Sequence, residues 1–549
     1  MPKTGESQSL YLGAGSSSHD ADAAVPDRYW LAFLILYLLG IGSLLPWNAL
    51  ITPTAYFQLR LTGSPFITSF ESILSVSFTF CSFAWVIAAQ WLQHIIPIRV
   101  IIIGSLLLLL AALSTLTVLA IIPLFASDDD LLDELASGAT SQFIALIVCG
   151  MMCGTGQAFL TVMTYSYAAV YQRPNYMQAI SGGQGVAGLS VTLANALLKI
   201  PGTVHKCAGG GESDDDAMTA SRARDLVTAA SVYFAASCVV IMGCIGGFLA
   251  LERLPFTRAR QRMASAPLPD VSSATDASLA PDGVDIVNVS STLGSTLDGA
   301  SGGGHAGGGR AGRLPQGDEP GGGASLASQS TREAIDAIVG GGSEVTGLAG
   351  TLHMIGLLWK WCLSIWLVYV VTIAIFPSLT VTIVAEGGSC AWQDLFGPLG
   401  FVLFNLGDTI GRNLPCLLSS TTTILTAVGS RLAFAPFFML CYTGSGDAAG
   451  PLQLPTFAGT DALPLGLMLF FSMSNGWLTS SVMVSSQREG VMPATRRQQG
   501  ATLLVLFLNT GIFVGAALSF LVRFLNCTPS DANGHDCNPF LTPATNSSR

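Results

Sequence analysis

Runs of about twenty or more mainly apolar residues recur along this 549-residue chain, and that recurrence limits its fold more than any other feature. A helix needs about 20 such residues to cross about 30 Å of hydrocarbon. Inside hydrocarbon each backbone N–H and C=O must be satisfied within the segment, which leaves the helix as the natural spanning element. The runs lie near residues 29–53, 69–93, 99–125, 140–170, 177–200, 226–251, 354–384, 395–418, 420–443, 464–486 and 500–525. The expected fold is therefore an all-α polytopic membrane protein with eleven crossings, and the lipid bilayer is its first partner. Half of the residues are hydrophobic and 11% are charged, which excludes an ordinary soluble enzyme. A net charge of −10 argues against nucleic acid as a partner.

Composition divides the chain. Residues 1–27 are polar and lack the apolar core and small-residue cleavage site of a secretory signal, so they read as a cytoplasmic tail. Residues 28–252 hold the first six runs. Residues 253–352 are rich in Gly, Ser, Asp and Pro, including "SGGGHAGGGRAGRLPQGDEPGGGAS", and with so little to bury they read as a flexible cytoplasmic linker. Residues 353–525 hold the last five runs, and 526–549 form a tail. Arg99, Arg173, "LERLPFTRARQR" and Arg488, Arg496 and Arg497 fall on one side of the expected topology, and the positive-inside rule makes that side cytoplasmic. The opposite loops carry "SDDDLLDELASG" and "GGGESDDDAM". The N-terminus is then inside and the C-terminus outside, in a plasma membrane.

Four of the twelve Cys, Cys207, Cys390, Cys527 and Cys537, lie in expected outer segments where oxidation is possible. Connectivity is not readable from sequence; Cys527 and Cys537 are the obvious local pair. Asn526 and Asn546 begin outer-side glycosylation sequons, whereas the sequon at Asn288 lies on the wrong side for use.

Several motifs carry no chemistry. Gly183-Gln-Gly185-Val-Ala-Gly188 matches G-x-G-x-x-G, but a dinucleotide site needs a preceding strand and a later acid, and this one sits in the apolar run "ISGGQGVAGLSVTLANALL". Its small residues at four-residue spacing suit close helix packing instead. Cys149 and Cys153 have no further ligand nearby for a metal. The six His form no H-E-x-x-H, and G-x-S-x-G is absent, so neither a catalytic constellation nor a cofactor is expected.

The eighth run carries chemistry. In "VLFNLGDTIGRNLPCLL", Asn405, Asp408 and Arg412 are three and four residues apart and share one narrow helical stripe. An intramembrane charge costs at least ~2.5 kcal/mol on insertion scales and usually faces a cavity or partner. A neutralising pair that only holds the helix in its bundle is one reading. The other is a polar stripe for an uncharged, hydroxylated solute, the carboxylate accepting from vicinal hydroxyls and the guanidinium donating to ring oxygens. "GIGSLLPWNALITPTAYF" places Pro46, Trp47 and Asn48 inside the first run, and "TIAIFPSLTVTI" places Phe376 and Pro377 inside the seventh. Proline-interrupted helices border many transport sites, and two aromatics there would suit a flat base or ring. An interfacial belt position is the alternative for Trp47.

These residues resemble the equilibrative nucleoside transporter family. The similarity is collinear through "LLPWNALITPTAYF", "GGQGVAG", "IFPSLTV", "FNLGDTIGRNL", "SRLAFAPFFMLC", "SMSNGWLTSSVM" and "GIFVGAALSFLVRF". The resemblance implies a major-facilitator-like fold, six helices packed against five about a central cavity, with alternating access for nucleosides and possible acceptance of nucleobases. It implies substrate-binding roles for Leu44, Trp47 and Ile51, for Phe376, for Asn405, Asp408 and Arg412, and for Ile512. Thr79 and Ser82 match by distance from Ile96 and Pro97. Gln157 is the candidate for reading the base edge, with Thr161, Thr164 and Ser166 nearby. The chain is expected to act as a monomer. A sugar or small-solute carrier is the runner-up. A channel would need polar rings or a filter loop, and a receptor gives the central charge pair no task.

Overall fold

The structure, a computed structural model, describes residues 25–67, 69–125, 127, 135, 138–171, 173–207, 220–265, 348–441, 460–488, 491–492 and 496–526. Each apolar run contains helix. The first part comprises α1 (Leu31–Ile51), the short α2 (Thr54–Arg60), α3 (Phe70–Leu92), α4 (Ile98–Ile121), α5 (Ala139–Ala169), α6 (Pro174–Cys207), α7 (Ala220–Leu251) and α8 (Pro255–Ser265). The second comprises α9 (Leu348–Ile375), α10 (Cys390–Asn413), α11 (Thr421–Ser430), α12 (Phe434–Met439), α13 (Ala462–Ser485) and α14 (Arg497–Asn526). The chain divides into a helix bundle, residues 1–265 with 351–549, and a second unit, 266–350. Most of the segment expected as a linker lies outside the described residues; α8 occupies its beginning.

Among the described residues nine helical segments are long and apolar enough to cross a membrane, so the expected count of eleven is not reached. The two that fall short are α6 and α10, which are long enough at 34 and 24 residues but carry Gly, Thr and Asn in both, Ser in α6 and the ion pair in α10. They are also sheltered. α6 packs on α1, α10 and α13, and α10 packs on α6 and α13. A helix surrounded by protein can hold polar residues that one facing lipid cannot. On the perimeter helix α7 the pattern is the reverse, with Val232, Val239, Met242 and Leu249 exposed along one stripe, the apolar surface that lipid covers.

Local chemistry sets the helix ends. The Asp27 carboxylate accepts from the free N–H groups of Ala32 (3.1 Å) and Phe33 (3.3 Å) at the start of α1. The peptide bond between Phe376 and Pro377 is cis, and α9 stops just before it. Between α11 and α12 sits Arg431, 1% exposed, which donates to Ser474 Oγ (3.0 Å), Val368 O (2.9 Å) and Phe471 O (3.3 Å). Its guanidinium covers the Phe471 ring at 4.7 Å, so one side chain ties this broken segment to α9 and α13.

The two groups of helices meet along two seams, α6 against α10 and α13, and α3 and α5 against α14. One end of the bundle is basic. There Arg99 pairs with Glu252 (3.1 Å), Glu252 also accepts from Tyr167, Gln261 donates to Tyr167 (3.0 Å), and Tyr171 meets Thr257 (3.0 Å), which together dock α8. Burial pushes the Tyr171 hydroxyl up from its ordinary pKa. At the opposite end Cys207 of α6 is disulfide-bonded to Cys390 of α10, Lys199 donates to Asp394 O (2.9 Å), and Thr203 donates to the Asp394 carboxylate. Non-reducing peptide mapping should therefore recover Cys207 and Cys390 in one cross-linked species. Recovery of both as free thiols would count against it. Cys527, Cys537 and Asn546 lie outside the described residues, and Asn526 is the last residue of α14.

Candidate functional site

α10 brings its polar stripe to the seam with α6. Arg412 Nε donates to Asp408 Oδ2 at 2.6 Å, and the two residues are 6% and 8% exposed. A pair so buried holds only if hydrogen bonds satisfy most of its remaining donors and acceptors, and the neighbouring helices supply them. Asn475 of α13 donates to Asp408 Oδ1 (2.7 Å) and accepts from Thr372 of α9 (2.7 Å). Arg412 Nη2 donates to the Tyr369 hydroxyl (3.2 Å). Its Nη1 crosses the seam to Ser181 Oγ (3.2 Å) and Gln184 Oε1 (3.4 Å) of α6. Gln184 Oε1 also accepts from Tyr165 of α5 (3.2 Å), and its Nε2 donates to Ser43 of α1 (3.2 Å). Ser181 in turn meets Ser480 of α13 at 2.9 Å. Six helices thus converge on one ion pair.

Of the remaining residues singled out in the sequence, Asn405 is on the same stripe and donates to Phe401 O (3.0 Å). Phe376 stacks on Phe404 with centroids 3.6 Å apart and meets Phe401 edge-on at 5.1 Å. Trp47 leans on Phe78 at 4.7 Å rather than on the ion pair. Leu44, Thr79 and Ile512 are half-buried, Ser82 is buried, and Ile51 is exposed. Asn48 and Gln157 differ from these, because Asn48 Nδ2 and Gln157 Oε1 are buried and without a hydrogen-bond partner. Such atoms cost about 1–3 kcal/mol each if left so. A cavity of about 380 Å³ lies nearer the disulfide end of the same seam, between Thr192, Asn195 and Lys199 of α6 and Phe396 and Phe401 of α10, with Met468 of α13; Asn405, Asp408 and Arg412 do not line it. Its size is within the range of small-molecule sites.

Sequence reasoning did not single out Tyr369, Thr372 or Asn475. Their only signal was a polar residue within an apolar run, which many packed helices share. Ser181 and Gln184 stood inside the small-residue motif and were read as packing.

A membrane-embedded helix bundle with a hydrogen-bonded ion pair on the seam between two helix groups has the build of a solute carrier. The nucleoside transporter family profile matches residues 329–524. The chain is 27% identical over 525 residues to equilibrative nucleoside transporter 2 of Mus musculus, covering 91% of this chain and 98% of that protein. It is 25% identical over 535 residues to equilibrative nucleoside transporter 1 of Rattus norvegicus, with coverage of 91% and 98%. Among solved structures it is similar to the major facilitator superfamily proton:xylose symporter XylE, with a TM-score of 0.47, 12% identity and coverage of 88% and 86%. The chain is thus similar to the equilibrative nucleoside transporters along most of its length, as its motifs led one to expect.

Proposed function

We propose that this protein carries nucleosides across a membrane by alternating access, with Asp408 and Arg412 recognising the ribose hydroxyls. The observation that carries the reading is the similarity to equilibrative nucleoside transporter 2 along 91% of the chain. These relatives are transporters by name, and the same activity is proposed here in place of an enzymatic one. The site's chemistry supports it. Arg412 has five N–H donors and four are directed at Asp408, Ser181, Gln184 and Tyr369, so one remains for a solute. Each Asp408 oxygen accepts one hydrogen bond, from Arg412 or Asn475, and has a second lone pair. Asn48 Nδ2 and Gln157 Oε1 supply an unspent donor and acceptor suited to a base edge.

In this reading the two helix groups rock as in major facilitators. The basic end faces the cytoplasm with the N-terminus, the C-terminus with Asn526 and Asn546 is extracellular, and the protein works as a plasma-membrane monomer. Residues 253–352 serve as a linker. Uptake of labelled adenosine and uridine by proteoliposomes, with and without a pH gradient, tests the reading and separates downhill from proton-coupled transport. No uptake of any nucleoside or nucleobase would sink it.

Trp47→Ala should raise the apparent Km for purine nucleosides about tenfold, the size of a lost base-on-aromatic stack. An unchanged Km at normal expression would confine Trp47 to packing on Phe78.

A further inference from the structure

The motif "GGQGVAG" has so far only a packing role, yet its glycines bring α6 unusually close to α10. A Cβ on Gly185 would lie 3.0 Å from Thr409 Cα and 3.1 Å from Arg412 Cδ, and one on Gly188 would lie 2.4 Å from Asn405 Oδ1. This face therefore fits against Asn405, Thr409 and Arg412, the polar stripe itself. Within it Gln184 is the one long polar side chain. It holds Arg412 across the seam while Tyr165 and Ser43 hold Gln184.

We infer that Gln184, assisted by Ser181, is a positioning residue that occupies the Arg412 guanidinium until a hydroxylated solute displaces it. The inference rests on the ribose assignment proposed above. Arg412 Nη1 has two N–H groups, and Ser181 and Gln184 take both. A ribose hydroxyl that uses Nη1 must exchange with one of these acceptors. The exchange breaks a hydrogen bond between the two helix groups as it makes one to the solute. Solute binding and release of the α6–α10 seam thereby share one donor, which is a means of coupling occupancy to rocking. Gln184 is suited to this because its acceptor is neutral and its bond to Arg412, at 3.4 Å, is the longest of the four that Arg412 makes.

The test measures equilibrium binding of adenosine and of 2′,3′-dideoxyadenosine to purified protein, together with adenosine turnover in proteoliposomes. Gln184→Leu removes a competitor for the guanidinium, so adenosine should bind about fivefold tighter, the worth of one hydrogen bond. The dideoxy compound, lacking both hydroxyls, should bind as before. Gln184→Glu supplies a charged competitor and should weaken adenosine by at least that factor while again sparing the dideoxy compound. Turnover should fall in both variants, because one loosens the seam and the other tightens it. A residue that merely supports the fold would weaken both ligands alike. Weaker adenosine binding in Gln184→Leu, or equal changes for both ligands in either variant, would overturn the inference. If the unsubstituted protein binds neither ligand, the nucleoside reading itself falls, a result distinct from failure of the variants alone.

Discussion

Arg412→Ala should abolish transport and destabilise the folded protein by about 3–5 kcal/mol, the cost of orphaning a buried charge. Without the guanidinium, Asp408 keeps only the Asn475 amide on Oδ1, and Ser181, Gln184 and Tyr369 each lose a donor. Adding Asp408→Asn removes the orphaned charge and should recover much of the stability, measured as thermal unfolding in detergent. Transport should stay lost, because the groups proposed to grip ribose are gone. Asp408→Asn alone turns an acceptor-only group into one that also donates. It should impair adenosine uptake strongly and 2′,3′-dideoxyadenosine uptake little. Recovered adenosine uptake in the double variant would reduce the pair to a structural tie.

Gly476→Ala is expected to be nearly as severe, although it adds one methyl group. A Cβ there would lie 2.1 Å from Asp408 O and 2.8 Å from Arg412 N, both backbone atoms that no rotamer change can move aside. Gly411 meets α13 in the same way, 2.1 Å from Met473 O. The methyl group must push α10 and α13 apart, at about 3 kcal/mol for an overpacked contact, and must shift the backbone that presents Asp408. Unfolding temperature and uptake should fall together. Gly356→Ala is the control, since nothing lies within 4 Å of its Cβ position. It should be neutral or stabilising by up to about 1 kcal/mol, as for alanine in a helix interior. Equal behaviour of the two variants would contradict the close approach of α10 and α13.

The stripe of Asn405, Asp408 and Arg412 was legible because helical periodicity places i, i+3 and i+7 together whatever surrounds them. Their partners were not. Asn475 is 67 residues from Asp408 and Ser181 is 231 from Arg412, and no local pattern marks which neutral polar residue in one apolar helix faces another. The same limit applies to the disulfide. Cys527 and Cys537 stood out by nearness in sequence, whereas the bond described joins Cys207 to Cys390 across 183 residues. Hydropathy identified the perimeter helices well, because lipid demands an apolar surface. It served α6 and α10 least well, since protein rather than lipid surrounds them and their composition follows function.

The bond between Cys207 and Cys390 fixes their Cα atoms 5.7 Å apart. While it remains, the loop-side tips of α6 and α10 cannot separate, however far the rest of the bundle moves. The protein is in this respect like a book bound at its spine. Any widening of that mouth must therefore fan open at the other seam, where α14 faces α3 and α5.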